Sequence, residues 1–101
     1  MEFKTDYHIH SFYSDGVLSP TEIVKRFRAL DYDIISITDH DGFEGLREAR
    51  DAVKDLEMEV VPGIEFSTIH DFDRKSLELH ILGYNFDTED PKMIATCAEL
   101  K

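Results

Sequence analysis

Asp6-Tyr7-His8-Ile9-His10-Ser11 is the stretch around which the rest of the chain is arranged. Side chains on an extended strand alternate between its two faces. The acid and the two histidines are therefore expected on one face, and the tyrosine and isoleucine on the other. Such a face presents imidazole and carboxylate groups at separations that suit a metal ion. The alternative is a half-exposed strand that happens to carry polar residues.

A second acidic group follows shortly after this strand, in Ser14-Asp15-Gly16. Gly16 allows the chain to double back, because glycine adopts backbone conformations that other residues avoid. Asp15 is thus expected on a turn beside the strand. The hydroxyl groups of Ser11 and Ser14 have no base placed next to them in the sequence, so we interpret them as local hydrogen-bonding groups of this turn and not as nucleophiles.

The composition is that of a soluble globular protein. The chain has 101 residues, 42% of them hydrophobic and 33% charged, which corresponds to one domain or part of one. No apolar run approaches the roughly 20 residues that span a bilayer, so no membrane association is expected. A single cysteine, Cys97, excludes an intramolecular disulfide and fits a cytoplasmic location.

The formal net charge of −11 bears on possible partners. Nucleic-acid binding rests on Lys and Arg neutralising phosphates, so binding to duplex nucleic acid is not expected. Acidic groups clustered with histidine are, however, what a site for several cations requires. Ordinary solubility explains the charge equally well.

Hydrophobic patterning predicts an α/β fold with mainly parallel strands. The predicted strands are 3–10, 33–38, 59–65 and 77–84, and the helices are 20–30, 43–56 and one that begins at Pro91. The first helix has the clearest start signal, because Ser19 and Glu22 form a capping box around Pro20. The third and fourth strands are expected to form a hairpin that turns through 69–75.

The histidine and acidic side chains that could bind a metal lie near the ends of these strands. His8 and His10 end the first strand, Asp39 and His40 follow the second, Glu65 ends the third, and His80 lies in the fourth. In parallel βα folds the functional residues lie where strands end and loops begin. We therefore expect these groups to meet in one pocket.

Imidazole and carboxylate ligands without thiolate favour Zn²⁺, Mn²⁺ or Fe²⁺. Glu65 is the best bridging ligand, because a carboxylate can serve two metals. Asp39, next to His40, and Asp6, two residues before His8, are interpreted as acids that orient a ligand imidazole. Two neighbouring metals would activate a water molecule and stabilise a phosphoryl displacement.

Four ordered motifs resemble those of the PHP (polymerase and histidinol phosphatase) superfamily, and more narrowly its small metal-dependent phosphoesterase branch. They are Asp6-x-His8-x-His10-Ser11-x-x-Ser14-Asp15-Gly16, Thr38-Asp39-His40-Asp41, Pro62-Gly63-Ile64-Glu65 and His80-Ile81-Leu82-Gly83-Tyr84. The resemblance implies that residues 1–101 are the N-terminal part of a PHP domain, a portion of a distorted (β/α)7 barrel with mainly parallel strands and one hairpin. The family's later His and terminal Asp-x-His ligands would lie beyond position 101.

The resemblance also implies roles for individual residues and a cofactor of two or three divalent ions (Mn, Zn or Fe). His8 and His10 would bind the first metal, Asp15 and His40 the second, and His80 the third, with Glu65 bridging. Catalysis would act through a metal-bound water at Asp15, His40 and Glu65.

The leading functional hypothesis is hydrolysis of phosphate esters, with a nucleotide 3′,5′-bisphosphate or a short oligonucleotide as substrate. The alternatives are a non-catalytic PHP domain with a role in assembly and a histidinol-phosphate phosphatase. The 101-residue chain by itself is expected to be weak or inactive, and to self-associate through its open sheet edges. His70, Arg74 and Lys75 are interpreted as solvated residues of the hairpin loop.

Overall fold

The computed structural model describes residues 2–72 and 75–100, and the side chains of 68–72 and 75–79 lie outside that description. The chain alternates strands and helices and then forms a long hairpin, as the α/β prediction required. The elements are β1 (Thr5–Ile9), α1 (Pro20–Ala29), β2 (Ile34–Ile37), α2 (Leu46–Ala52), β3 (Glu59–Val60), β4 (Gly63–Phe72), β5 (Lys75–Tyr84) and α3 (Pro91–Glu99).

The first three strands form a parallel sheet with β2 in the centre. The pairing of β1 with β2 is irregular, because Asp6 pairs with Ile35 and Ile9 with Ile37, so that β1 has one residue more than β2 over this interval. An extra residue of this kind bends a strand and re-aims its side chains. It lies just before the end of β1, where His8 and His10 are found.

Strands β4 and β5 pair with each other in an antiparallel hairpin, from Gly63 opposite Tyr84 to Phe72 opposite Lys75. The predicted loop 69–75 is therefore too long, because both strands continue almost to the turn. The proposed exposure of His70 and Lys75 concerns side chains outside the described part of the chain, and Arg74 lies outside it entirely.

The predicted third strand, 59–65, is wrong as a single element. β3 ends at Val60, and β4 begins at Gly63 in the other sheet. Pro62 has no N–H group with which to continue a parallel ladder, so the chain leaves β2 at this point. Glu65 consequently lies in the hairpin and not at the end of a parallel strand. A single parallel bridge between His40 and Glu65 connects the two sheets.

Helix α1 begins as predicted. The Ser19 side chain accepts a hydrogen bond from the backbone N–H of Glu22, and the Glu22 carboxylate accepts one from the N–H of Ser19. Helix α3 begins at Pro91, with the Asp90 carboxylate accepting from the N–H of Lys92.

Helix α2 is shorter than the predicted 43–56. Its N-cap residue, Gly45, provides no side chain to cap the first turn, and the helix ends at its C-cap residue, Val53. The apolar faces of α1 and α2 pack against the parallel sheet and enclose the core, which consists of Ile23, Val24, Ile35, Ile37, Leu46, Ala49 and Val60. None of the helices within the described residues has the length and apolarity that a bilayer crossing demands.

Candidate metal centre

Four imidazoles and two carboxylates from distant parts of the chain meet at the end of the parallel sheet that faces the hairpin. They belong to His8, His10, Asp15, His40, Glu65 and His80. The rings form a continuous row, with centroids 5.3 Å apart for His8 and His10, 4.4 Å for His10 and His40, and 5.4 Å for His40 and His80. The convergence expected from the sequence is thus present.

Glu65 lies at the centre of the cluster, and its side chain is almost fully buried. Its Oε1 lies 2.9 Å from Nε2 of His8 and 2.6 Å from Nε2 of His10. Its Oε2 lies 2.7 Å from Nδ1 of His80. The two oxygens of one carboxylate therefore face different imidazoles, which is the arrangement that a bridging ligand needs.

Asp15 forms a second connection on the exposed side of the cluster. Its Oδ1 lies 2.5 Å from Nδ1 of His10, and its Oδ2 lies 3.1 Å from Nε2 of His40. The Asp15 side chain is 62% exposed, against 5% for Glu65. The cluster is thus closed at Glu65 and open to solvent at Asp15.

Three groups within the cluster could each hold a metal ion. They are His8 with His10 and Glu65, His10 with Asp15 and His40, and His40 with Glu65 and His80, and in each group the ligand atoms lie within 4.8 Å of one another. Imidazole nitrogens and carboxylate oxygens are the donors that Zn²⁺, Mn²⁺ and Fe²⁺ accept. The donor set therefore fits the divalent ions inferred from the sequence.

The electrostatics of Glu65 favour its charged form. Burial by itself would raise the pKa of the Glu65 carboxyl, but hydrogen bonds with His8, His80 and His10 outweigh it and bring that pKa to about 2. Glu65 is therefore ionised at any ordinary pH, as a metal ligand must be.

His10 and Asp15 shift each other in opposite directions. Burial tends to lower the pKa of His10, but hydrogen bonds to Asp15 and Glu65 raise it above 6.5. The hydrogen bond from His10 in turn lowers the pKa of Asp15 below its ordinary value. Hydrogen bonds between imidazoles and carboxylates thus link the members of the cluster.

The loop that carries Asp15 is held by a buried acid, Asp39. Its Oδ1 accepts hydrogen bonds from the N–H of Ser11 (2.6 Å) and the hydroxyl of Ser14 (2.7 Å), and its Oδ2 accepts one from the Ser11 hydroxyl (2.6 Å). Asp39 is 2% exposed. Hydrogen bonds to a carboxylate in such surroundings are strong, so Asp39 fixes the turn that follows β1.

Gly16 completes this turn by close approach to the backbone. A Cβ atom at Gly16 would lie 2.2 Å from the carbonyl oxygen of His10. The prediction of local hydrogen bonds holds in part: the hydroxyl of Ser11 accepts from the N–H of Tyr13, but the hydroxyls of Ser11 and Ser14 both donate to the distant Asp39. The turn therefore returns Asp15 to the ring of His10.

Backbone hydrogen bonds join the segment after β2 to β4. The N–H of Glu65 donates to the carbonyl of Asp39 (3.0 Å), and the N–H of Asp41 donates to the carbonyl of Glu65 (2.9 Å). Asp41 has a left-handed backbone, with φ 56°, and its carboxylate then accepts from the N–H of Ser67 (2.9 Å). The Asp41 side chain thus continues the ladder after the backbone has turned away, and it fixes His40 opposite Glu65.

Gly63 allows β4 to approach β2 closely. A Cβ atom there would lie 2.0 Å from Oγ of Ser36 and 2.8 Å from Cγ2 of Thr38. Ser36 and Thr38 occupy the space that a side chain at position 63 would need. Glu65 is thereby brought against the end of β2.

The two acids expected to orient ligand imidazoles contact other groups. Asp6 accepts a hydrogen bond from the backbone N–H of His8 (3.1 Å), and Asp39 holds Ser11 and Ser14. Their orienting role stays a prediction. Two contributors were missed, Ser67, which touches the ring of His40, and Asp41. The sequence signal for these two contributors was the acidic group of Asp41, directly after His40.

The chain resembles known proteins in sequence. The sequence profile of the PHP domain matches residues 6–95. The chain is 43% identical over 95 residues to a 5′-3′ exoribonuclease of Haemophilus influenzae, covering 94% of this chain and 33% of that protein. It is 36% identical over 90 residues to a 3′,5′-nucleoside bisphosphate phosphatase of Chromobacterium violaceum, covering 89% and 30%.

A solved structure has the same fold. A candidate metal-dependent phosphoesterase from Bifidobacterium adolescentis superposes with a TM-score of 0.83 at 26% identity, over 98% of this chain and 33% of that one. The chain spans about a third of the length of the relatives it matches.

Proposed function

The chain belongs to the PHP-domain family, and on that premise we propose that it supplies the N-terminal part of a phosphoesterase that depends on divalent metal ions. The observation that carries this proposal is the position of Glu65, whose two oxygens face imidazoles on opposite sides. A carboxylate so placed can hold two cations next to each other. Metal ions at such a site supply an activated water and stabilise the charge of a phosphoryl displacement.

The residues of this chain would hold and orient the cations. His8 and His10 would hold one cation with the buried carboxylate of Glu65, and Asp15 with His40 would hold another at the exposed Asp15, where a substrate can enter. His80 completes a third group with His40 and Glu65. We propose two or three ions of Mn, Zn or Fe, in agreement with the donor atoms.

The charge of the chain supports a requirement for cations. A phosphate ester is anionic, and a chain with a net charge of −11 repels it unless positive charge is concentrated at the site. The substrate class we propose is a nucleotide 3′,5′-bisphosphate or a short oligonucleotide. The relatives' described activities, an exoribonuclease and a nucleoside bisphosphate phosphatase, support this class.

Hydrolysis should be tested with the chain alone and with a chimera in which residues 1–101 replace the matching third of the Haemophilus influenzae relative. Both are assayed with Mn²⁺ on a nucleotide 3′,5′-bisphosphate, a short oligoribonucleotide, histidinol phosphate and a generic phosphoester. We expect activity from the chimera and little or none from the chain alone, because the family's remaining ligands would come from the later segment. A folded chimera that cleaves none of these with any divalent ion contradicts the proposal.

Glu65→Gln is the informative variant in that assay, and Glu59→Gln is its matched control, because Glu59 is exposed on β3. The glutamine at position 65 keeps the size of the side chain and removes its charge. We expect E65Q to abolish hydrolysis by the chimera and E59Q to leave it unchanged.

A non-catalytic domain with a role in assembly is the rival from another class. All six expected ligand residues are present and converge, which favours the enzyme. Elemental analysis of the purified chimera separates the two, since the enzyme should contain two or three divalent metals per chain.

We also propose that the 101-residue chain self-associates. Among the described side chains of the hairpin strand β5, those of Ile81, Leu82 and Tyr84 are large, apolar and exposed. A sheet edge with apolar neighbours favours pairing with a second copy. Light scattering should show a mass that rises with concentration, and a monomer over a wide concentration range would contradict this.

A further inference from the structure

The imidazole of His40 is anchored at both ring nitrogens, by groups of different chemistry. Its Nε2 lies 3.1 Å from Oδ2 of Asp15, on the side where a metal would bind. Its Nδ1 lies 3.1 Å from Oγ of Ser67, on β4. A neutral serine hydroxyl is not among the usual ligands of Zn²⁺, Mn²⁺ or Fe²⁺, so we consider its contact with His40 as a hydrogen bond that supports a ligand.

The contact matters because an imidazole binds a metal only through a nitrogen that carries no proton. In the neutral ring the proton must then lie on the other nitrogen. For Nε2 of His40 to be a ligand, Nδ1 must carry the proton and donate it to an acceptor. The Ser67 hydroxyl oxygen is within reach to accept it. Partners of this kind set the tautomer and the orientation of ligand histidines in metal sites.

The position of Ser67 is itself fixed relative to His40. The backbone N–H of Ser67 donates to Oδ1 of Asp41, the residue directly after His40. Asp41 also donates its own N–H to the carbonyl of Glu65. The hydroxyl and the ring are therefore held on two segments that hydrogen bonds join on either side, so their separation does not depend on a mobile loop.

His10 provides a contrast within the same cluster. Both of its ring nitrogens face carboxylate oxygens, at 2.6 Å from Glu65 and 2.5 Å from Asp15. Either nitrogen of His10 is thus oriented by a group that could itself bind the metal. His40 has a carboxylate on one side only, so the hydroxyl of Ser67 is its partner on the other.

We propose that Ser67 is a positioning residue that holds the ring of His40 and, when Nε2 binds a metal beside Asp15, accepts the hydrogen bond from the protonated Nδ1. This inference rests on the proposed function only in that the cluster must bind a divalent ion. It does not require that the bound form hydrolyse any particular ester.

The test uses the whole chain labelled with ¹⁵N in histidine, titrated with Zn²⁺ and followed by calorimetry and by NMR of the ring nitrogens. The variants are Ser67→Ala, which removes the hydroxyl, and Ser67→Thr, which keeps it and suits a strand. We expect S67A to weaken Zn²⁺ binding at the Asp15–His40 group by about 10- to 100-fold, the usual effect of losing such a partner. S67T should bind as the unchanged chain does.

The NMR readout separates tautomer selection from general packing. In the Zn²⁺-bound chain and in S67T, the His40 ring should show a proton on Nδ1 and a metal-bound Nε2, and S67A should lose this pattern while the His10 signals persist. Equal affinity and equal ring signals in S67A and the unchanged chain would overturn the inference. So would equal losses in S67A and S67T, because the hydroxyl would then not be the cause.

Failure of the proposed function has a different signature. Zn²⁺ binding that depends on Ser67, in a chimera that hydrolyses no phosphate ester, would overturn the function and leave the positioning role intact. A folded chimera that binds no divalent ion would overturn both.

Discussion

His10 and Glu65 lie 55 residues apart in the sequence and meet through a 2.6 Å contact between Nε2 of one and Oε1 of the other. This contact joins the end of β1 to the hairpin, which belongs to a different sheet. Each group also stabilises the charged form of the other, His10 acting on Glu65 together with His8 and His80, and Glu65 acting on His10 together with Asp15. The stability of the metal-free chain should therefore depend on pH through these two groups.

At acid pH, we expect Glu65 to determine how the stability of the folded chain depends on pH. Its pKa is lowered from 4.5 to about 2 in the folded chain. Its contribution to stability is thus full above about pH 4.5 and is lost as the pH falls towards 2. Urea unfolding at a series of pH values should show this loss, and Glu65→Gln should remove it while Glu59→Gln retains it. If E65Q loses the same stability at acid pH as the unchanged chain does, Glu65 is not the group responsible.

Around neutral pH, the contribution of His10 to stability should fall as the pH rises. A bound metal should reverse this dependence on pH. The pKa of His10 is raised above 6.5, so its contribution is full below pH 6.5 and is lost as the pH rises through the folded value. Metal ions require unprotonated imidazoles and release protons on binding. Between pH 6 and 8 the stabilisation by Mn²⁺ or Zn²⁺ should therefore increase with pH. A stabilisation that does not change with pH would argue against imidazole ligands.

Asp39→Asn should loosen the turn that carries Asp15. The Asp39 carboxylate accepts three hydrogen bonds from Ser11 and Ser14, and it is buried. An asparagine amide group would face at least one of these donors with its own N–H, and each buried group left without a partner costs about 1–3 kcal/mol. We expect the free energy of unfolding to fall by that amount and metal binding to weaken.

The matched control for this change is Asp55→Asn, because Asp55 is exposed after α2. Urea unfolding and calorimetry of both variants provide the comparison. If D39N is as stable as D55N, the carboxylate does not hold the turn.

Gly16→Ala and Gly83→Ala form a second matched pair. A Cβ at Gly16 would lie 2.2 Å from the His10 carbonyl oxygen, whereas at Gly83 its nearest neighbour would be Cγ2 of Ile64 at 3.5 Å, an ordinary contact. We expect G16A to destabilise the chain by about 1–3 kcal/mol, as overpacking does, and to weaken metal binding by moving Asp15. G83A should change stability by less than about 1 kcal/mol. Similar effects of the two substitutions on metal binding would show that the turn at Gly16 tolerates a side chain.

The convergence of the candidate ligands was predictable because their positions follow local rules. The alternation of His8 and His10 on one strand, and the position of His40 after a buried strand, indicate a common pocket from the sequence alone. The structure brings both His8 and His10 to Glu65. The helix starts at Ser19 and Asp90 were equally predictable, because caps depend on neighbouring residues only.

What the sequence did not reveal depends on contacts between distant segments. The separation of β3 from β4 follows from a proline whose effect is visible only when the neighbouring strand is known. The contact between Ser67 and His40, and the attachment of Ser11 to Asp39, join residues that are 27 and 28 positions apart. Periodicity carries no information about such pairs, since it describes only which face of an element a residue occupies.

The most direct test of the metal centre is anomalous diffraction from crystals of the chain grown with Mn²⁺ or Zn²⁺, recorded on both sides of the metal's absorption edge. We expect peaks on both sides of the Glu65 carboxylate, one beside His8 and His10 and another beside His40, at about 2.0–2.2 Å from the nitrogen and oxygen ligands for Zn²⁺. Peaks confined to exposed carboxylates elsewhere, with none at Glu65, would contradict the account.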